Sequence, residues 1–244
     1  ARKIPATWIR TSTTTRVCTT LLDDAQGTTE LVENAAGLTA QELEEFRTRY
    51  AALVTQAKAV VLTGSLPTGT PATFYRECLA RTPCPVVLDA RGPELLEALV
   101  MKPAVVKPNR AELAMTVGRA LADRASVLSA MRELIERGAR SVLVTQGKDA
   151  VWLMDADHLW ELTPPPVEHV VNPIGCGDCL AAGIALGLAR GETLVDAARL
   201  GLACAAENLP QLLPARLSRR RVEALRDRVA VSPLHSPTGE RGRR

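Results

Sequence analysis

Gly175-Cys176-Gly177-Asp178 places a carboxylate directly after two glycines, where an extended approach turns into an apolar helix. Val170 and Val171 are expected to end an extended segment, and Pro173 blocks an earlier helix start. The glycines let the backbone turn sharply with its amides unobstructed. From Cys179 through Leu188 the pattern is helical, so Asp178 falls in the first turn. Unpaired amides and the positive end of a helix dipole then surround one acid. Such a site suits a phosphate or a developing oxyanion with a base beside it. The chemistry it points to is phosphoryl transfer to a hydroxyl. The same residues also fit a plain tight turn closed by a helix-stabilising acid.

The rest of the chain alternates short apolar strands with helices. Residues 15–22 are rich in β-branched side chains, 23–27 read as a turn and 28–32 as a returning strand. Thr39 and Glu42 form a capping box that opens a helix to about residue 57. Buried strands are expected at 59–62, 86–88, 104–106 and 141–145, then at 150–154 and 159–162. Helices are expected at 71–81, 93–99, 110–117, 126–137, 179–189, 193–209 and 218–229. This alternation predicts the α/β class, as an open, mostly parallel sheet with helices on both faces. Ligands in such sheets bind at the carboxyl ends of the strands. Gly64-Ser65, Asp89, Lys107-Pro108-Asn109, Thr145-Gln146-Gly147 and the 175–178 turn all fall there.

Each of these motifs also has a structural reading. Asn109 can cap the helix after Pro108, with Glu112 as its capping-box partner. Thr145-Gln146-Gly147-Lys148-Asp149-Ala150 joins two strands through a glycine turn. It lacks the spacing and Ser/Thr of a Walker A loop, which excludes a P-loop NTPase. No Gly-x-Gly-x-x-Gly follows a strand, which argues against a Rossmann dehydrogenase. His158, His169 and His235 are isolated, so no hydrolytic triad is expected. Arg16 on its strand suits bidentate phosphate contact, and equally fits a solvated side chain.

With 244 residues, 46% apolar and only 3% aromatic, the chain can build a sizeable core from Ala, Leu and Val. A net charge of +3 implies no polyanion partner, so no nucleic acid is expected. Arg219, Arg220 and Arg221 alternate with Glu223 and Asp227 at helical spacing and read as a solvated face. Six cysteines without a disulfide-framework spacing, and no apolar run of membrane length, indicate a reduced, cytoplasmic protein with no membrane partner. Cys176-x-x-Cys179 fits a redox pair or half a zinc site, but no second pair or His follows at ligand spacing. One domain is expected over residues 1–231, with residues 232–244 as a disordered tail.

The 175–178 turn resembles the carboxy-terminal signature of the ribokinase-like (PfkB-type) carbohydrate kinases, in which Gly-Ala/Ser-Gly-Asp opens a helix. Asn172-Pro173 before it is most similar to the tagatose-6-phosphate kinase and 1-phosphofructokinase branch. The resemblance makes Asp178 the general base and Gly175, Cys176 and Gly177 the anion hole, with Cys176 standing where the family has Ala or Ser. Lys107-Pro108-Asn109 with Glu112 resembles the Lys-Pro-Asn-x-x-Glu element, which implies a lysine near the nucleotide and Mg²⁺ held by Asn109 and Glu112 through water. Thr145, Gln146, Gly147, Lys148, Asp149 and Ala150, with Gly177 and Asn208, would line ATP. Thr15-Arg16-Val17-Cys18 resembles the strand whose Arg contacts a phosphate already on the substrate, and Ser65 belongs to a Gly-Ser-Leu-Pro segment beside the substrate channel.

The implied activity is ATP- and Mg²⁺-dependent phosphorylation of a ketohexose phosphate, fructose 1-phosphate first and tagatose 6-phosphate second. Another sugar kinase, or a nucleotide-binding protein that no longer catalyses, is the alternative. Strands within residues 14–35 would form an incomplete β lid, the family's amino-terminal portion is expected to be absent, and the complete protein is expected to be a homodimer paired through the lid.

Overall fold

The computed structural model describes residues 4–22 and 28–234 of the chain. β1 (Cys18–Leu22) and β2 (Thr28–Val32) form a separate antiparallel ribbon, with Cys18 opposite Val32. The turn expected at 23–27 lies outside the described residues. Helix α1 (Ala40–Val54) opens on the expected capping box. The Thr39 hydroxyl accepts from the Glu42 amide, and the Glu42 carboxylate accepts from the Thr39 amide.

The main sheet holds seven strands in chain order: β3 (Val60–Thr63), β4 (Val86–Asp89), β5 (Val105–Val106), β6 (Ser141–Val144), β7 (Val151–Asp155), β8 (Leu159–Thr163) and β9 (Ala230–Leu234). β3 to β6 run parallel, and β6, β7, β8 and β9 pair antiparallel in turn. The parallel strands are linked by α2 (Phe74–Ala80), α3 (Gly92–Ala98), α4 (Arg110–Val117) and α5 (Arg124–Glu136). Between β8 and β9 lie α6 (Cys176–Ala189), α7 (Leu194–Asn208) and α8 (Arg219–Arg226).

Alternating strand residues sort these helices onto two faces. Val86, Leu88, Val106 and Val142 join Leu95, Leu113 and Met131 in one core. Val87, Val105 and Leu143 join Leu180, Ile184 and Leu202 in the other. The expected α/β sheet with helices on both faces is what forms. On the second face α6 and α7 pack backbone to backbone. A side-chain carbon added at Gly183 would lie 2.6 Å from the Gly201 Cα, and one at Gly201 would lie 2.7 Å from the Leu180 carbonyl oxygen.

Three expectations need correction. Helix α6 begins at Cys176, not Cys179, because the left-handed Gly175 turns the chain straight into it. Val170 and Val171 belong to no strand; their segment is a loop tied to the end of α7, with the Val171 and Asn172 amides both donating to the Leu209 carbonyl. Residues 232–234, read as tail, pair with β8, so that Ser232 faces Glu161 and Leu234 faces Leu159. Pro233 is tolerated there because β9 is an edge strand. The remainder of the expected tail, 235–244, lies outside the described residues. Among the described residues no helix is long and apolar enough to cross a membrane.

Candidate active site

Parallel strands end side by side, so β3, β4 and β5 deliver Thr63, Asp89 and Lys107 to one edge. Lys107 is only 5% exposed and its Nζ lies 3.1 Å from Asp89 Oδ1. The Thr63 hydroxyl donates to the other Asp89 oxygen at 3.5 Å. Burial pushes the Asp89 carboxyl upward, Lys107 opposes that push, and the like charges of Glu112 and Asp178 add to it. The loop after Lys107 is latched to the end of β6: Asn109 bridges Thr145, and the Arg110 amide donates to the Thr145 carbonyl at 3.1 Å.

Asn109 and Glu112 make the capping box in full. Asn109 Oδ1 accepts from the Glu112 amide and Glu112 Oε2 from the Asn109 amide, each at 2.9 Å. The second Glu112 oxygen faces the Arg91 guanidinium at 3.6 Å. Capping occupies one lone pair of each capping oxygen, and the spare lone pairs can still accept from metal-bound water. The residues therefore fit Mg²⁺ held indirectly.

The glycine turn is fixed from both sides. Gly175 takes φ +79°, and a side-chain carbon there would lie 2.9 Å from Pro214 Cβ. Asn172 Oδ1 accepts from the Ile174 amide at 2.9 Å, an Asx turn, while its Nδ2 donates to the Leu212 carbonyl at 2.9 Å. Asn208, wholly buried, donates to the Ile174 carbonyl at 2.8 Å and accepts from the Ala215 amide at 2.7 Å. It does not reach the surface of a cleft, so the nucleotide contact expected of Asn208 is corrected to support of the turn from behind. The Cys176 amide bonds back to the Pro173 carbonyl at 3.3 Å. The amides of Gly177 and Asp178 follow in the first turn, where a helix offers no intrahelical acceptor. Of the amides expected to form the hole, that of Cys176 is thus already engaged, and that of Gly177 is left facing outward beside that of Asp178.

A side-chain carbon added at Gly177 would lie 3.5 Å from the Lys107 Nζ. A buried ammonium therefore sits against the positive end of α6, and Asp178 stands exposed in the same first turn. Such an arrangement can hold an anion with a carboxylate at its rim. Burial pushes the Cys176 thiol up, against an opposing hydrogen bond from Asn208. Burial first, then Cys176 and Asp178, push the Cys179 thiol to about 11. Both are thiols at neutral pH and poor nucleophiles.

Two cavities open at this end of the sheet, and the second reaches the turn. The first, about 320 Å³, is lined by Arg16, Ser65, Asp89, Arg91 and Glu112 among others. Arg16 Nη1 donates to the Ser65 hydroxyl there at 2.9 Å, joining the ribbon to the end of β3. The second, about 680 Å³, has Thr145, Gly147 and Lys148 on one wall, Gly177 and Leu180 on another, and Pro165 and Val167 closing it. A largely apolar cleft that ends on helix amides and one lysine fits a nucleotide. Gln146, Asp149 and Ala150 do not line it: the Gln146 side chain donates to the Ala150 carbonyl at 3.1 Å and closes its own loop. Sequence reasoning passed over Asn172 and Pro214 as supports of the turn, and Arg91 altogether. Of these, only Asn172-Pro173 carries a local turn signal.

Comparison with known proteins gives a consistent result. The family model described as "pfkB family carbohydrate kinase" matches residues 2–213. A structure described as a possible 1-phosphofructokinase from Thermotoga maritima superposes with a TM-score of 0.80 at 18% identity, covering 90% of this chain and 71% of that one. Phosphofructokinase-2 from Escherichia coli, in complex with substrates and products, superposes with a TM-score of 0.73 at 25% identity, covering 85% and 69%. The tetrameric inhibited form of that enzyme gives 0.73 at 23%, and the chain spans 66% of its length.

Proposed function

The chain belongs to the pfkB family of carbohydrate kinases, and on that premise we propose that it phosphorylates a hydroxyl of a ketohexose phosphate. Fructose 1-phosphate is the first choice of acceptor and tagatose 6-phosphate the second. ATP with Mg²⁺ supplies the phosphoryl group when bound. Thr145, Gly147 and Lys148 would hold it in the larger cleft, and Asn109 and Glu112 would orient the water around the metal. Arg16 and Ser65 hold the acceptor in the smaller cleft. Asp178 takes the proton from the acceptor hydroxyl as it attacks. The Gly177 and Asp178 amides, the α6 dipole and Lys107 oppose the negative charge on the phosphoryl oxygens in transit.

One observation carries this reading: an exposed acid in the first turn of α6, one residue from a glycine whose α-carbon faces a buried lysine. The test is coupled ADP release with Mg-ATP against fructose 1-phosphate, tagatose 6-phosphate, fructose 6-phosphate and free sugars. Turnover should require a sugar phosphate and fall about 10²- to 10⁴-fold in Asp178→Asn, the range for losing a positioned base. Sugar-independent release, or full activity in Asp178→Asn, refutes it.

A further inference from the structure

The smaller cavity contains two guanidinium groups, and the proposed function uses only one. Arg16 comes from the approach to the lid ribbon and Arg91 from the residue that follows β4 and Ala90. Arg16 spends one N–H on a neutral hydroxyl, Ser65, so its charge stays uncompensated by that contact. Arg91 is half exposed, and its partner, Glu112, lies at 3.6 Å, too long for a well-formed hydrogen bond. Asp89, the other acid on the cavity wall, is already taken by Lys107 at 3.1 Å. The cavity therefore presents two cations against one loosely held carboxylate.

We infer that Arg91 is a second ligand for the acceptor's phosphate, opposed to Arg16, and that it leaves Glu112 when it engages. This rests on the sugar-phosphate reading above. A phosphate near its dianionic state matches two guanidiniums, whereas a free sugar gives neither a partner. The exchange has a second consequence. Glu112 Oε2 stays on the Asn109 amide, while Oε1 is released from Arg91 and becomes available to metal-bound water. Arg91 is thus a specificity-determining residue whose occupancy by phosphate readies the carboxylate assigned to the metal shell.

The test is calorimetric and does not depend on turnover. Fructose 1-phosphate, fructose and inorganic phosphate are titrated into the chain and into Arg91→Gln, Arg16→Gln, Glu112→Gln and Arg91→Gln/Glu112→Gln. Gln keeps the capping box at residue 112, so the helix start survives. Arg91→Gln should weaken fructose 1-phosphate binding about tenfold and leave fructose unchanged, the loss of one charge-assisted contact. Glu112→Gln should tighten fructose 1-phosphate about two- to fivefold, because the exposed ion pair that competes for Arg91 is gone. That gain should vanish in the double variant. Unchanged binding in Arg91→Gln, or a Glu112→Gln gain that persists without Arg91, overturns the inference. If Arg16→Gln still weakens fructose 1-phosphate, the sugar-phosphate reading survives that failure. If the parent chain binds fructose 1-phosphate no better than fructose, both fall.

Discussion

Truncating Asn208 to Ala asks whether the glycine turn is held in place by a residue that never touches a ligand. Asn208 is wholly buried and contributes two well-formed hydrogen bonds, to the Ile174 carbonyl at 2.8 Å and from the Ala215 amide at 2.7 Å. Each is worth about 1 kcal/mol net. Neither Ile174 nor Ala215 is buried, so water can partly replace the lost partner and the larger penalties for orphaned groups do not apply. The emptied side-chain volume adds about 1 kcal/mol more. The expected loss is about 3 kcal/mol, or roughly 6–12 °C in Tm for a chain of this size. Asn208→Asp separates the two bonds, since it keeps the acceptor for Ala215 and loses the donor to Ile174. Burial raises the carboxyl introduced there, so that variant is most stable at low pH and loses stability as pH rises through its folded-state pKa. Urea unfolding followed by circular dichroism measures both variants, and nucleotide titration shows whether the anion site loosens with the turn. An Asn208→Ala midpoint within about 0.5 kcal/mol of the parent would refute the reasoning, because that is the scatter of a neutral surface change.

Gly201→Ala should destabilise the chain by about 1–3 kcal/mol in urea unfolding, since its new carbon would lie 2.7 Å from the Leu180 carbonyl oxygen and force α6 off α7. Lys107→Met should cost about 3 kcal/mol at neutral pH by leaving the largely buried Asp89 without its cation. Because burial already raises the Asp89 carboxyl and only Lys107 opposes it, the loss should shrink as pH falls and Asp89 takes up a proton; a loss independent of pH contradicts this. Glu42 is lowered from 4.5 to about 2, first by the Thr39 amide and next by the Ser12 amide. Its contribution is present above pH 4.5 and disappears as pH falls toward about 2. Glu42→Gln keeps the cap but not the titration, so acid unfolding of that variant should show a shallower slope in this window.

What could be read from the sequence was what is encoded within a few residues. The Thr39–Glu42 and Asn109–Glu112 boxes each join residues three apart, so the starts of α1 and α4 were visible before any packing was known. Short β-branched runs marked β3, β4 and β6; β4 and β6 are buried on both faces, where little else is admitted. Ser126, expected to begin a helix, is instead the third residue of α5, capped by Asp123. β9 was hidden because a Pro in an otherwise unremarkable run demotes it as a strand, and only the exposed edge of β8 makes the pairing permissible.

The site divides along the same line. The Gly-Cys-Gly-Asp turn announces itself locally, yet its geometry depends on Asn208, 34 residues beyond Ile174, and on Pro214 packing against Gly175. A lone Asn at the end of an apolar helix gives no sign of that duty. Lys107 shows the limit most sharply. In sequence it is a charged residue before Pro-Asn, a pattern that ordinarily reads as solvated. Its burial follows only from β5 lying beside β4, which brings Asp89 to 3.1 Å, and from α6 starting its backbone against the same edge. An uncompensated ammonium could not stay there. The Asp89 partner is what lets the chain keep a cation, nearly dry, beside the first turn of α6, and a cation so placed acts through a lower dielectric than any surface lysine could.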